Sequence, residues 1–69
     1  MLARATIWKA LQLLSPRRRA IVIMCELEGL AVPAVAEMLG LRSVTVRWHL
    51  ARGRRDLERS ISQWEGVGR

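Results

Sequence analysis

The sequence predicts an all-α fold, a compact domain of four helices, and three observations carry that expectation. Apolar residues recur at helical intervals of three and four in separate segments of the chain. Serine, proline and glycine stand where such segments would begin and end. The chain has 69 residues, enough for one small domain and no second. A chain this short buries only about 60% of the surface its unfolded form exposes, so its stability depends on well-made helices.

From Ala3 to Leu14, the residues Ile7, Leu11 and Leu14 fall at i, i+4 and i+7 with Trp8 flanking them, which predicts the first helix. Ser15-Pro16 ends it and starts the second, since serine is a good N-cap and proline at the first helical position gives up no needed hydrogen bond. The second helix is expected to run from Pro16 to Leu27 or Glu28, with Gly29 as its stop. Within it, Ala20 to Cys25 is apolar and rich in β-branched residues, as a buried strand would be. Length and punctuation decide for a helix, the most buried of the four, with Cys25 deep inside it. Val32, Val35, Ala36 and Leu39 then repeat at i, i+3, i+4 and i+7, Pro33 sits in the first turn where it is tolerated, and Gly40 closes this short third helix. After Leu41 and Arg42, Ser43 reads as the N-cap of a long fourth helix whose stripe is Val46, Leu50, Leu57, Ile61 and Trp64. Gly53 falls on that stripe, marking either the close approach of another helix or a weak point. The domain is expected to occupy residues 1–65, followed by a disordered tail at 66–69.

Twelve Lys and Arg residues against six Asp and Glu give a formal net charge of +6. Arginine dominates the basic residues, with the run Arg17, Arg18, Arg19 and a second cluster from Arg42 to Arg59. Arginine grips phosphate through a planar fork of donors, so this balance implies a polyanionic partner. Other classes are disfavoured. Cys25 has no partner for a disulfide, and single Cys and His residues make neither a metal site nor a nucleophile–base pair, so no metal, no cofactor and no enzymatic activity are expected. The apolar stretch at Ala20–Cys25 is too short to span a bilayer and the N-terminus lacks signal-peptide order, so a soluble, cytoplasmic protein is expected. Glu26, Glu28 and Glu37 are read as pairing with nearby arginines while staying solvated, and His49 as partly packed or making one phosphate contact.

A short helix, a three-residue turn containing glycine and a second helix rich in arginine form a helix-turn-helix. Ala36 is small where the helices cross, Gly40 takes the left-handed turn, and Leu41 and Val46 plug the angle from inside. The complete fold reading is therefore an all-α, compact four-helix domain with a C-terminal helix-turn-helix, winged-helix-like but without a wing. On the fourth helix, Arg47 is the candidate for a bidentate bond to a guanine edge, and Val44 and Trp48 for apolar contact with a thymine methyl. Arg42, Thr45 and Arg52 are candidates for phosphate contacts, helped by the helix N-terminus. Trp48 has a second reading, as an aromatic packed against the first or second helix, and the sequence leaves both open.

The residues that carry these features resemble region four of bacterial sigma factors, most closely the extracytoplasmic-function group. The likeness lies in Leu14-Ser15-Pro16-Arg17-Arg18-Arg19-Ala20, Glu26-Leu27-Glu28-Gly29-Leu30, Val35-Ala36-Glu37-Met38-Leu39-Gly40, Thr45-Val46-Arg47 and Leu50-Ala51-Arg52-Gly53-Arg54-Arg55-Asp56-Leu57. The resemblance implies a DNA-binding domain that recognises the upstream promoter element with its last helix and docks on the β-flap of RNA polymerase. By position, base reading would fall on Ser43, Val44, Arg47 and Trp48, with Arg42, Thr45 and Arg52 on the backbone of double-stranded promoter DNA. An anti-sigma factor partner is also implied, and the domain is expected to be monomeric.

The sequence departs from the family at Ala31, where a polar N-cap is usual, at Val44 in place of glycine, at Trp48 in place of a small polar residue, and at His49 in place of a basic one. Val44 and Trp48 make the groove-facing surface more apolar. The family's other half, which melts DNA and binds the polymerase core, is absent from the chain, so an excised or stand-alone C-terminal domain is expected. Val46-Arg47-Trp48-His49-Leu50 is also similar to the effector domains of LuxR/NarL-type response regulators, which share the four-helix plan. Glu26 to Leu30 and the arginines from Arg52 to Arg55 fit the sigma pattern better. A third reading has the domain act mainly through contacts with polymerase or an anti-sigma factor.

Overall fold

The apolar stripes close around Leu11, Leu14, Ile21, Val22, Val35, Ala36, Val46 and Leu50, all buried. The computed structural model describes residues 4–67, with side chains up to residue 63. Its elements are α1 (Arg4–Leu11), α2 (Pro16–Val22) continuing as a π-helical turn (Ile23–Leu27), α3 (Val32–Leu39) and α4 (Ser43–Val67). The long α4 packs against α1, α2 and α3. Every charged residue among those described stays out of the fully buried set.

The predicted starts and stops hold at α2 and α3. Ser15 caps α2, its side chain accepting from the Arg18 N–H, with Pro16 in the first turn. Ala31 caps α3 through its backbone alone, and Pro33 lies in the first turn. Gly40 follows α3 at φ 67°, and the Leu41 N–H reaches back to the Ala36 carbonyl at 2.8 Å, the six-to-one bond of a Schellman ending.

Four expectations are corrected. α1 ends at Leu11 rather than Leu14, because the last turn tightens: the Leu13 and Leu14 N–H groups bond to the Ala10 and Leu11 carbonyls, three residues back. α2 is not buried nearly all round, since only Ile21 and Val22 are sealed; Cys25 is half-buried and Leu27 is 52% exposed. The cause is the π turn, in which the Glu28 N–H bonds five residues back to Ile23, so the extra residue changes the face that residues 25–27 present. Ser43 lies in the first turn of α4 rather than capping it. The Arg42 carbonyl accepts the first bonds, from the Thr45 and Val46 N–H groups at 3.0 and 3.1 Å. Finally, α4 continues through Gly66 and Val67, where a disordered tail is predicted. One helical glycine costs about 1 kcal/mol against alanine and does not by itself end a helix. Residues 68–69 of that tail, Ala3 and the side chain of Trp64 lie outside the described residues.

Candidate nucleic-acid interface

The turn from α3 to α4 fixes which side of α4 faces outward. Val35 and Val46 are fully sealed and Ala36 nearly so, while Leu41 packs on the core from the turn. These residues set the crossing of the two helices as the helix-turn-helix reading requires. Along α4 the inward line is Val46, Leu50, Gly53 and Leu57, of which only Leu57 is part-exposed.

The opposite line is the candidate surface. Val44 (59%) and Trp48 (52%) are well exposed, as are Arg47, Ala51 and Arg52. At 3.6 residues per turn, Val44, Arg47, Trp48 and Ala51 fall within an arc of about 100°, and Arg52 lies about 40° further round. Arg55 and Arg59, also exposed, continue this face along the helix. Ser43 and Thr45 are half-buried and stand about 100° to either side of Val44, on the flanks rather than on the face. Arg42 is exposed ahead of the helix. The structure thus brings together Val44, Arg47 and Trp48, with Arg52 at the edge, and sets Ser43 and Thr45 apart.

Trp48 is held at the surface rather than packed in the core. The Arg18 and Arg52 guanidinium carbons lie 5.2 and 5.4 Å from its ring centroid, and the His49 ring meets it at 4.9 Å and 66°. Arg18, on α2, is the residue that the sequence does not single out, because it stands there as one of a run of three arginines that count together toward a polyanionic partner. Its Nε donates to His49 Nδ1 at 3.4 Å and its Nη1 donates to Asp56 Oδ2 at 3.3 Å. The signal was present: His49, Gly53 and Asp56 fall at i, i+4 and i+7, one face of α4 with a gap in its middle. Arg19 donates to Gln12 Oε1 at 2.7 Å, and Arg54 pairs with Glu26. Among the described residues, Glu28 and Glu37 pair with no arginine, against expectation. His49 is half-buried, and burial first, then the charges of Arg18 and Arg17, push its pKa below the ordinary 6.5. Burial, and secondarily Glu26, push the Cys25 thiol up against an opposing pull from Arg54, which leaves it a poor nucleophile.

A second surface lies on α1, where Arg4, Ile7, Trp8 and Leu27 line an open groove. Trp8 is 43% exposed there, flanking the buried stripe as predicted. No helix among the described residues is long and apolar enough to cross a membrane.

A four-helix scaffold that turns the arginine-rich second helix of a helix-turn-helix outward defines a class, the small helical DNA-binding domains. Within that class the chain belongs to the sigma-70 region 4 family, whose model matches residues 4–57. It is 40% identical over 53 residues to the ECF RNA polymerase sigma factor SigE of Mycolicibacterium smegmatis, a match that covers 77% of this chain and 21% of that protein. The chain therefore spans about a fifth of the length of the curated relative it matches. No solved structure matches it. The family is a DNA-binding domain of transcription factors, not of enzymes, and it decides between the sigma and response-regulator likenesses in favour of the first.

Proposed function

We propose that the domain, taken as residues 1–65, reads the minus-35 promoter element through the outward face of α4 and docks on the RNA polymerase β-flap. It does so as a monomer in the cytoplasm, as the C-terminal part of a sigma factor. The observation that carries this reading is the shared exposed arc of Val44, Arg47 and Trp48 at the leading end of α4. In a major groove Arg47 presents its fork to guanine O6 and N7, while Val44 and Trp48 cover thymine methyl groups. Ser43, on the flank, offers a short polar contact at the groove edge. Arg42, Thr45 and Arg52 hold phosphates, together with the Ser43 and Val44 N–H groups that open α4 ahead of its first helical bonds. The groove that Ile7 and Trp8 of α1 form with Leu27 of the π turn offers the polymerase flap an apolar seat, and an anti-sigma factor would cover the same surfaces.

The test is a pair of substitutions measured on two duplexes, one selected by the chain from a random library and one scrambled. Arg47→Ala is expected to weaken binding to the selected duplex by about 1–3 kcal/mol more than to the scrambled one. Arg52→Ala is expected to weaken both alike and to flatten the salt dependence by about one unit of slope. Equal losses from Arg47→Ala on both duplexes would remove Arg47 from base reading.

A further inference from the structure

Arg18 belongs to α2 by sequence and to α4 by contact. Where the two helices cross, Gly53 has no side chain, and a Cβ placed there would lie 3.3 and 3.6 Å from Arg18 Cγ and Cδ. The arginine stem therefore runs over this gap, and its guanidinium reaches both ways along α4. It donates to His49 about a turn before the gap and to Asp56 about a turn after it, and it lies against Trp48. Only 19% of the Arg18 side chain remains exposed, and a carboxylate already balances its charge. A phosphate would have to compete with Asp56 for it. Trp48, by contrast, is half in solvent, and an indole in that position has rotamers to choose from unless something holds it.

We propose that Arg18 is a positioning residue for promoter reading. It fixes the indole of Trp48 and the rotation of the leading turns of α4 on α2, and so sets base preference without touching DNA. This rests on the reading of α4 as the base-reading helix. The two-ended grip needs the planar guanidinium, since an ammonium cannot serve His49, Asp56 and the ring face from one fixed plane. The neutral imidazole of His49 is part of the arrangement, because only an unprotonated Nδ1 accepts from Arg18.

The experiment uses the whole 69-residue chain. Wild type, Arg18→Lys and Arg18→Gln are each titrated with a wild-type-selected duplex and a scrambled duplex over a range of salt, at a temperature where circular dichroism shows each variant folded. Both variants are expected to lower the selected-over-scrambled ratio about fivefold to tenfold, on the scale of one lost base contact. Affinity for the scrambled duplex should keep its salt slope. Arg18 is a phosphate contact instead, and the inference is overturned, if Arg18→Gln weakens both duplexes equally with a slope shallower by about 0.9 and lysine restores them. It is overturned equally if the melting temperature falls while the ratio in the folded chain is unchanged, the mark of a purely structural role. Should Arg18→Gln not fold, Asp56→Asn frees the other end of the grip and is read the same way: a fallen ratio supports the inference and an unchanged one overturns it. A wild-type chain that selects no sequence defeats the promoter reading and this inference together. Variants that keep wild-type selectivity defeat this inference alone.

Discussion

His49 is a side chain whose charge answers to its surroundings. It is half-buried, faces Arg18 and Arg17, and accepts a hydrogen bond that its protonated form could not accept. Its pKa in the folded chain therefore lies below the unfolded value, and the unfolded state takes up the proton first. Stability is untouched above the ordinary range and is lost as pH falls through it toward the folded value. Urea unfolding between about pH 7 and pH 5 should show this decline, and His49→Gln should flatten it, because glutamine offers Arg18 an acceptor with no proton to gain. A decline of the same slope in His49→Gln would assign the pH dependence elsewhere. Cys25 is the opposite case: half-buried, with its thiol pKa pushed up, it behaves as a small apolar residue.

Between elements, two glycines do different jobs, and their alanine variants separate them. Gly40 has a φ of 67° with nothing within 4 Å of where an added methyl group would stand, so alanine there suffers only backbone strain, about 1–2 kcal/mol. Gly53 sits in regular helix, but a Cβ would lie 2.6 Å from Val22 Cγ2, in a side chain that is 2% exposed and β-branched. Overpacking of this kind costs about 1–3 kcal/mol, offset by about 1 kcal/mol of better helix propensity. Both variants are expected to lose stability in urea, but asparagine should recover part of the loss at Gly40 and deepen it at Gly53. A stabilised Gly53→Ala would mean that α2 and α4 do not cross there. The order of the helices, the Ser15-Pro16 start and the Gly29 and Gly40 stops were legible because each has a local chemical cause. So was the inward line of α4, and with it the outward face of Val44 and Arg47, whereas for Trp48 the sequence left packing against the first or second helix equally open. The early end of α1 and the π turn after Val22 were not, since both are choices among backbone bonds that the same residues can satisfy. The reach of Arg18 across Gly53 was hidden for another reason: it is a contact between positions 31 and 38 residues apart, to His49 and Asp56.

At the scale of the molecule, the domain is elongated, 42 × 18 × 17 Å, with a radius of gyration of 12.8 Å against about 11 Å for a typical globule of this length. The 25 residues of α4 account for the excess, spanning about 37 Å. Its leading half is clamped by the other helices and its trailing half leaves the core after Leu57, carrying Arg59 outward. Five of the twelve basic residues, Arg47, Arg52, Arg54, Arg55 and Arg59, lie along this rod, so duplex binding should depend steeply on salt. With about four to six phosphate contacts, affinity is expected to fall about a hundredfold to a thousandfold between about 50 and 200 mM salt. Salt-insensitive binding would contradict the electrostatic part of the account. The central claim, that the leading face of α4 is what enters the groove, is tested most directly by nuclear magnetic resonance of the labelled chain titrated with its selected duplex. The largest shifts are expected at Val44, Arg47, Trp48, Ala51 and Arg52, with Ile7 and Trp8 on α1 and Leu27 in the π turn unmoved. Shifts centred on the α1 groove, with that face of α4 silent, would contradict it.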